Sequence, residues 1–344
     1  MRVDTWGVER VTGMRSLRRI ANNMRMVRTS TIVAAAVGGI ALWASAALMS
    51  DLLVRWDVED ALRADHATAK PALAKPETVR VLASVAKVKD AFSNAGYELD
   101  AVRRGQITVP RVRLASLPYD LPQLNRAQER KALFLRYMLP IVLEANSHIR
   151  DQRERMKVLR IKVESGRRLS EEERVWLTAL FEEYKIKPGD FDALSLRVDT
   201  VPVSLALAQA AVESGWGTSR FAQEGNAAFG QWTSKDHAGM VPKKRETGRT
   251  HKVRAFDSLK MSAESYLRNL NTHRAYRALR KMRREFRKSG AAFDSLALAG
   301  TLVRYSEKGA DYVTLLRNII KRNDLRALDG ARLGKTVLAF RPDA

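Results

Sequence analysis

The stretch "LAQAAVESGWGTSRFAQEGNAAFGQW", Leu207 to Trp232, holds the most informative pattern in the chain. Its first part is apolar and is framed by Pro202 and Gly215, the residue types favoured at a helix start and just past a helix end. This framing predicts a helix from Val203 to Ser214, with Glu213 in the last turn. The side chains predicted to face the core are Leu205, Leu207, Ala208, Ala211 and Val212.

Glu213 is a candidate general acid. Its position near the negative end of a helix dipole raises the pKa of its carboxyl. Burial beneath Trp216 and Phe229 would raise that pKa further, because desolvation disfavours a carboxylate. A raised pKa suits an acid that donates a proton near neutral pH. The spacing alone is equally typical of a surface acid beside a helix end, so both interpretations stay open.

Composition limits the class of protein. The chain has 344 residues and 45% hydrophobic residues, which is typical of a globular protein and too high for a disordered one. Its 61 Lys and Arg against 38 Asp and Glu give a net charge of +23, which favours polyanionic partners. It has no cysteine, which excludes disulfides and cysteine metal ligands.

The N-terminus predicts export. Several arginines precede the uncharged run Thr31 to Met49, and basic residues before an apolar run stay on the cytoplasmic side. The run has the length of a membrane span, and the "ASA" at Ala44 to Ala46 suits a signal peptidase. An inner-membrane anchor and a cleaved signal therefore both stay open. We expect a periplasmic or otherwise extracytoplasmic protein, which argues against nucleic acid as the partner.

The chain divides into five predicted parts and is mainly α. The parts are a basic segment with signal or anchor at 1–56, a linker at 57–78, a helical N-terminal region at 79–190, a catalytic domain at 191–325 and a C-terminal tail at 326–344. Apolar periodicity predicts helices at 79–97, 125–164, 259–270, 275–288 and 312–321. A Thr-Gly turn within 241–258 predicts a β-hairpin, and 109–122 reads as an edge strand or an extended arm.

Local signals refine the N-terminal helices. Pro140 should kink or divide the long helix, and Gly166 should end it. Ser170 and Glu173 form a capping-box pattern that predicts the start of the next helix.

The segment around Glu213 resembles the signature of bacterial N-acetylglucosaminidases of glycoside hydrolase family 73, most closely the Bax-like branch. The resemblance extends through "RAFDSLKMSAESYLRNLNTHRAYRALR" and "LAGTLVRYSEKGADYVTLLRNIIKRN" and covers roughly residues 106–323. It implies a lysozyme-like α-bundle with a small β-hairpin lobe, preceded by a long-helix N-terminal region. It also implies a peptidoglycan hydrolase that needs no cofactor.

The same resemblance assigns the site. It places the catalytic glutamate on Glu213 and an Asn-x-x-Phe-Gly element on Asn226, Phe229 and Gly230. Trp232 stands where many relatives have lysine, a departure that bears on how the sugar is held. A family tyrosine corresponds to Tyr305, with Tyr312 the next aromatic residue. The predicted sugar-contacting residues are Trp216, Asn226, Phe229, Gly230, Trp232 and Tyr312.

A second catalytic group is less clearly marked. Glu246 is the acid on the predicted hairpin before Asp257 and is the candidate base, although a solvated turn residue is the alternative. Without it, the N-acetyl oxygen of the substrate could attack the anomeric carbon, with Tyr305 supporting the transition state. Asp257 and Glu307 are weaker candidates. The five histidines show no metal-ligand spacing, so no metal is expected.

The sequence therefore predicts an exported endo-β-N-acetylglucosaminidase that acts on peptidoglycan strands with Glu213 as general acid. Two alternatives stay open. A lytic transglycosylase uses one glutamate on a similar fold and forms 1,6-anhydro ends without a second carboxylate. A membrane-anchored wall-binding protein would keep the fold without turnover.

Overall fold

The computed structural model describes residues 83–114, 116–233, 239–241 and 252–340. All of these residues belong to one unit that spans residues 60–344. Helices dominate it and the sheets are small, so the predicted mainly α architecture is confirmed and agrees with a lysozyme-like fold.

The helices range in length from 5 to 38 residues. They are α1 Val85–Asn94, α2 Leu99–Arg103, α3 Ala127–Glu164, α4 Glu171–Glu183, α5 Phe191–Arg197, α6 Val203–Ser214, α7 Arg220–Gly225, α8 Leu259–Thr272, α9 Arg277–Ser289, α10 Ser295–Ala299 and α11 Ala310–Arg322. Short 3-10 turns include Arg274–Tyr276 and Leu325–Leu328. The strands are β1 Val109–Arg113, β2 Trp232–Thr233, β3 Gly239–Met240, β4 Lys252–Arg254 and β5 Leu333–Ala339.

The long helix α3 runs through Pro140 without being divided. Proline has no N–H, so the carbonyl of Arg136, four residues earlier, lacks its usual helical donor. The hydroxyl of Tyr97 donates to that carbonyl at 3.0 Å instead. Tyr97 is buried, so this hydrogen bond also holds the segment that follows α1 against α3. The end of α3 is as predicted, because Gly166 follows with a φ of +71°.

The cap predicted for α4 is confirmed. The backbone N–H of Glu173 donates to the Ser170 hydroxyl at 3.2 Å, and the Glu173 carboxylate accepts from the Ser170 N–H at 2.8 Å. These two bonds satisfy donors that a helix start leaves without partners.

Helix α6 has the predicted bounds and forms the centre of the core. Every residue from 203 to 211 is buried, so the helix has no solvent-facing side over that length, and Val212 is only half-buried. The prediction of a single core-facing stripe is therefore too narrow. A helix that is apolar all round must be surrounded, and α6 packs against α3, α10, α11 and the turn Leu325–Leu328.

The start of α6 is capped from far along the chain. Pro202 offers no side-chain acceptor at this position. The carboxylate of Asp329 instead accepts from the Ser204 N–H at 2.8 Å and from the Ser204 hydroxyl at 2.7 Å. A residue of the predicted C-terminal tail thus stabilises the helix that carries Glu213.

Strand β1 lies within the segment predicted as an edge strand or an arm. It pairs in parallel with β5, and Val109 lies opposite Leu333. Residues of the predicted tail 326–344 therefore contribute a strand that closes onto the N-terminal region.

The small β-lobe is a three-stranded antiparallel sheet with the order β2-β4-β3. Trp232 pairs with Val253, and Gly239 pairs with Arg254. The predicted hairpin turn, together with Glu246, lies outside the described residues.

Among the described residues, no helix is both long enough and apolar enough to cross a bilayer. The predicted signal or anchor at 31–49 and the linker at 57–78 lie outside those residues.

Candidate active site

Glu213 lies where α6 ends and the chain turns sharply. Three successive residues, Gly215, Trp216 and Gly217, have φ values of +57°, +58° and +80°. The Ser214 hydroxyl accepts from the N–H of Gly217 at 2.8 Å and holds this turn. The turn ends the helix at Ser214, one residue after Glu213, and leaves the Glu213 side chain half-buried at the edge of the core.

The second glycine of the turn is required by packing. A Cβ at Gly217 would lie 2.9 Å from side-chain carbons of Leu117 and Phe134. Trp216 turns to the same side: its ring packs edge to face on Phe134 at 5.9 Å, and the Lys131 ammonium lies 5.2 Å from its centre. The structure therefore places Trp216 against α3, and the N-terminal region forms one wall beside the site.

One oxygen of the Glu213 carboxylate faces a glycine. A Cβ at Gly230 would lie 2.6 Å from Glu213 Oε2, closer than any real side chain could approach. Gly230 also has a φ of +59°, which L residues rarely adopt. The absence of a side chain here lets Oε2 lie against the backbone of Gly230.

The Asn-x-x-Phe-Gly element holds Gly230 in this position. Asn226 ends α7 with a φ of +51°, and its side-chain amide donates to the carbonyl of Phe256 at 3.1 Å. The ring of Phe229 stacks on Tyr266 with centroids 4.1 Å apart. Asn226 and Phe229 are both buried, so they position the backbone beside Glu213.

A directional chain of hydrogen bonds ends on the other oxygen of Glu213. The Tyr266 hydroxyl donates to Gln209 Oε1 at 2.7 Å, and Gln209 Nε2 donates to the Tyr312 oxygen at 3.1 Å. The Tyr312 hydroxyl then donates to Glu213 Oε1 at 2.8 Å. Because Tyr266, Gln209 and Tyr312 are all buried, each donor and acceptor has a fixed role.

The two predicted tyrosines have different roles. Tyr312, predicted to contact the sugar, is buried and contacts Glu213 directly. Tyr305, predicted as catalytic, donates its hydroxyl to the carbonyl of Phe229 at 3.0 Å. The two rings lie parallel, 5.4 Å apart, so Tyr305 supports both Tyr312 and the Phe229–Gly230 segment.

The pKa of Glu213 is raised. Desolvation by burial is the main cause, and the hydrogen bond from Tyr312 and the positive charge of Lys308 lower the pKa in part. The net effect favours a protonated carboxyl over a wider range of pH than in water.

The remaining candidate site residues are either exposed or outside the described residues. Trp232 is 63% exposed on β2, where a flat ring is accessible to a sugar. Asp257 and Glu307 are exposed, and Glu246 lies outside the described residues. Within the described part of the chain, no group of three or more His, Asp or Glu side chains could hold a metal ion.

Gln209 and Tyr266 were not among the site residues predicted from the sequence. A signal for Gln209 was present, because it is a polar residue inside an otherwise apolar helix and lies one turn before Glu213. Tyr266 had no such signal, since an aromatic residue at helical spacing is ordinarily a core residue.

Residues 190–325 match the Glucosaminidase family, described as mannosyl-glycoprotein endo-beta-N-acetylglucosaminidase. Protein bax from Escherichia coli (strain K12) is 34% identical over 204 residues, which cover 58% of this chain and 71% of that protein. No solved structure matches the chain. The chain therefore belongs to the glucosaminidase family and is one of its Bax-like members.

Proposed function

We propose that this protein is an exported peptidoglycan hydrolase, an endo-β-N-acetylglucosaminidase that cleaves the β-1,4 bond after N-acetylglucosamine. The proposal rests on the carboxyl of Glu213, which has a raised pKa, accepts a hydrogen bond from Tyr312 through Oε1 and has Oε2 against Gly230. Membership of the glucosaminidase family supports a glycosidase, and the basic N-terminal segment before an apolar run supports export.

The two oxygens of Glu213 have separate tasks in this mechanism. Oε1 accepts the hydrogen bond from Tyr312, so the acidic proton of the neutral carboxyl resides on Oε2. Oε2 lies against the backbone of Gly230. A glycosidic oxygen bound within hydrogen-bond distance of Oε2 receives the proton as the C–O bond breaks.

The neighbours of Glu213 also make the proton transferable. After donation the carboxylate keeps the hydrogen bond from Tyr312 and the attraction of Lys308, and both favour the charged form. Burial thus raises the pKa of Glu213, whereas these two groups lower it. Because of this balance, Glu213 can give up its proton and act as an acid instead of staying neutral.

The second half of the reaction has two candidate routes. Glu246 on the predicted hairpin is the candidate base that would activate water. Alternatively, the N-acetyl oxygen of the substrate attacks the anomeric carbon, and water then opens the cyclic intermediate. The second route needs no second carboxylate from the protein.

A lytic transglycosylase is the second candidate function. It is favoured by the sequence of the predicted hairpin, whose charged residues are mostly basic and which offers only Glu246 as a second acid before Asp257. In this reaction the sugar's own hydroxyl closes the ring, and the new end is a 1,6-anhydro-muramic acid.

A dye-release assay on peptidoglycan sacculi tests the proposal. The full-length wild-type chain should release soluble fragments, and Glu213→Gln should release at least about 100-fold less, since general acid catalysis commonly contributes that much. Binding of sacculi with equal, negligible release by both proteins would instead support a non-catalytic wall-binding protein.

A further inference from the structure

A stripe of positive charge runs along the exposed side of helix α9 and the turn before it. The basic residues Arg274, Arg277, Lys281, Arg284 and Lys288 are all exposed and are separated by three, four, three and four positions. This spacing places them on one face of the helix, and we call them the basic stripe. From Arg277 to Lys288 the stripe extends roughly 16 Å along the helix axis.

The opposite face of α9 packs against the core. Leu279 is fully buried, and Met282 and Phe286 pack against the core. The basic stripe itself contains no large apolar side chain. A face with charge and no apolar group suits a polyanion in water better than insertion into a bilayer, which needs apolar anchors.

Much of the charge on the basic stripe is uncompensated. Glu285 pairs with Arg284 at 3.2 Å and lies 3.9 Å from Lys288. In the described part of the chain, no carboxylate lies within ion-pair distance of Arg274, Arg277 or Lys281. These three side chains are therefore available to an external anion.

The basic stripe begins next to the candidate active site. Tyr276 lies between Arg274 and Arg277 in the chain, and its ring centre is 5.8 Å from that of Tyr305. Tyr305 in turn bonds the carbonyl of Phe229, next to Gly230, against which Glu213 Oε2 lies. A polymer seated in front of Glu213 thus has one end of the basic stripe within reach.

We propose that the basic stripe binds the carboxylates of the peptide side chains that a peptidoglycan strand carries beside the bond being cut. The inference rests on the proposed function for the identity of the polymer. Arginine guanidinium groups match carboxylates with paired hydrogen bonds, and the row of charges allows successive contacts along one strand. The basic stripe would keep the strand in place without touching the reacting sugar.

The test is co-sedimentation of the full-length chain with sacculi, in the Glu213→Gln background so that the polymer stays intact. The stripe variant is Arg274→Gln, Arg277→Gln and Lys281→Gln. The matched control is Arg150→Gln, Arg168→Gln and Lys321→Gln, which removes the same charge from exposed positions elsewhere.

We expect the stripe variant to bind sacculi roughly tenfold more weakly than the control, with a difference that shrinks at high salt. Amidating the carboxylates of the sacculi with a carbodiimide and an amine should remove this difference. Equal binding by the two variants would overturn the inference. A difference that persists on amidated sacculi would overturn it too, as would a larger difference on phosphatidylglycerol vesicles than on sacculi.

A separate assay distinguishes a failure of this inference from a failure of the proposed function. With Glu213 intact, the stripe variant should cleave peptide-free glycan oligomers at the wild-type rate, because the basic stripe does not contact the scissile bond. If the wild type cleaves no glycan, the proposed function fails, whereas the sedimentation result still decides the role of the basic stripe.

Discussion

Tyr312 on helix α11 donates a 2.8 Å hydrogen bond to Glu213 at the end of helix α6. This bond makes the two carboxylate oxygens unequal, because Oε1 is occupied while Oε2 faces Gly230. Gln209 and Tyr266 fix the direction of the bond, since each donates to the next group in the chain. The orientation of the proposed acid is therefore determined by buried residues that the substrate does not touch.

Tyr312→Phe should reduce activity and change its pH dependence. The substitution removes a hydrogen bond that lowers the pKa of Glu213, so the fall in kcat/KM on the alkaline side should move to higher pH. The carboxylate left after proton transfer is also less stabilised, and kcat should fall about 10- to 100-fold. A pH profile of the variant beside the wild type measures both effects.

Tyr305→Phe is the control for that experiment. Its hydroxyl bonds the Phe229 carbonyl and not the acid, so the alkaline limb should keep its wild-type position even if the rate falls. A shift of the limb in Tyr305→Phe, or none in Tyr312→Phe, would contradict the assignment of Tyr312.

Gly230→Ala should abolish cleavage. The added Cβ would lie 2.6 Å from Glu213 Oε2 and would force the acid out of position. Gly290→Ala is a matched control, because Gly290 also has a positive φ, +71°, but has nothing within 4 Å of the added Cβ. The positive φ should cost each variant about 1 kcal/mol of stability, and only Gly230→Ala should lose activity. Comparable activity in the two variants would refute the role given to Gly230.

Glu213→Gln should stabilise the fold in a pH-dependent way. Burial raises the pKa of Glu213 above its unfolded value, so the ionised side chain destabilises the native state above the folded pKa. That cost disappears as pH falls below the unfolded pKa, where the carboxyl is neutral in both states. We expect the variant to be more stable by about 1 kcal/mol at neutral pH and no more stable in acid. Denaturant unfolding at several pH values measures this, and a stabilisation independent of pH would disagree with it.

Asp329→Ala should destabilise the protein through the start of α6. It removes two hydrogen bonds to Ser204, and the loss of a helix cap costs about 1–2 kcal/mol. Asp151→Ala is a suitable comparison, because Asp151 is exposed in the middle of α3 and caps no helix. Equal unfolding midpoints for the two variants would show that Asp329 does not cap α6.

Local sequence signals predicted the helix that carries Glu213 and its neighbours well. Pro202 and Gly215 fixed the bounds of α6, and the Ser170–Glu173 pattern fixed the start of α4, because these caps act within a few residues. Contacts between distant residues were not predictable in this way. Asp329 capping α6 and Tyr97 bonding the carbonyl opposite Pro140 each join segments far apart in the chain.

The candidate site likewise combines features predictable from local sequence with contacts between distant residues. The resemblance assigned Glu213 and the Phe229–Gly230 element to the site from local sequence, and it gave Tyr305 a catalytic role and Tyr312 a sugar contact. Both are aromatic residues near the start of α11, and only packing shows which hydroxyl reaches Glu213. Pro140 was expected to kink or divide its helix, and it does not divide it because a donor from elsewhere satisfies the freed carbonyl.

Hydrolysis with Glu213 as the acid is tested most directly by mass spectrometry of the sugar ends in digested peptidoglycan, with the reaction run in ¹⁸O-labelled water. We predict new reducing N-acetylglucosamine ends that carry one labelled oxygen in the wild-type digest and are absent with Glu213→Gln. Unlabelled 1,6-anhydro-muramic ends, or labelled ends that persist in Glu213→Gln, would contradict hydrolysis by an acid at Glu213.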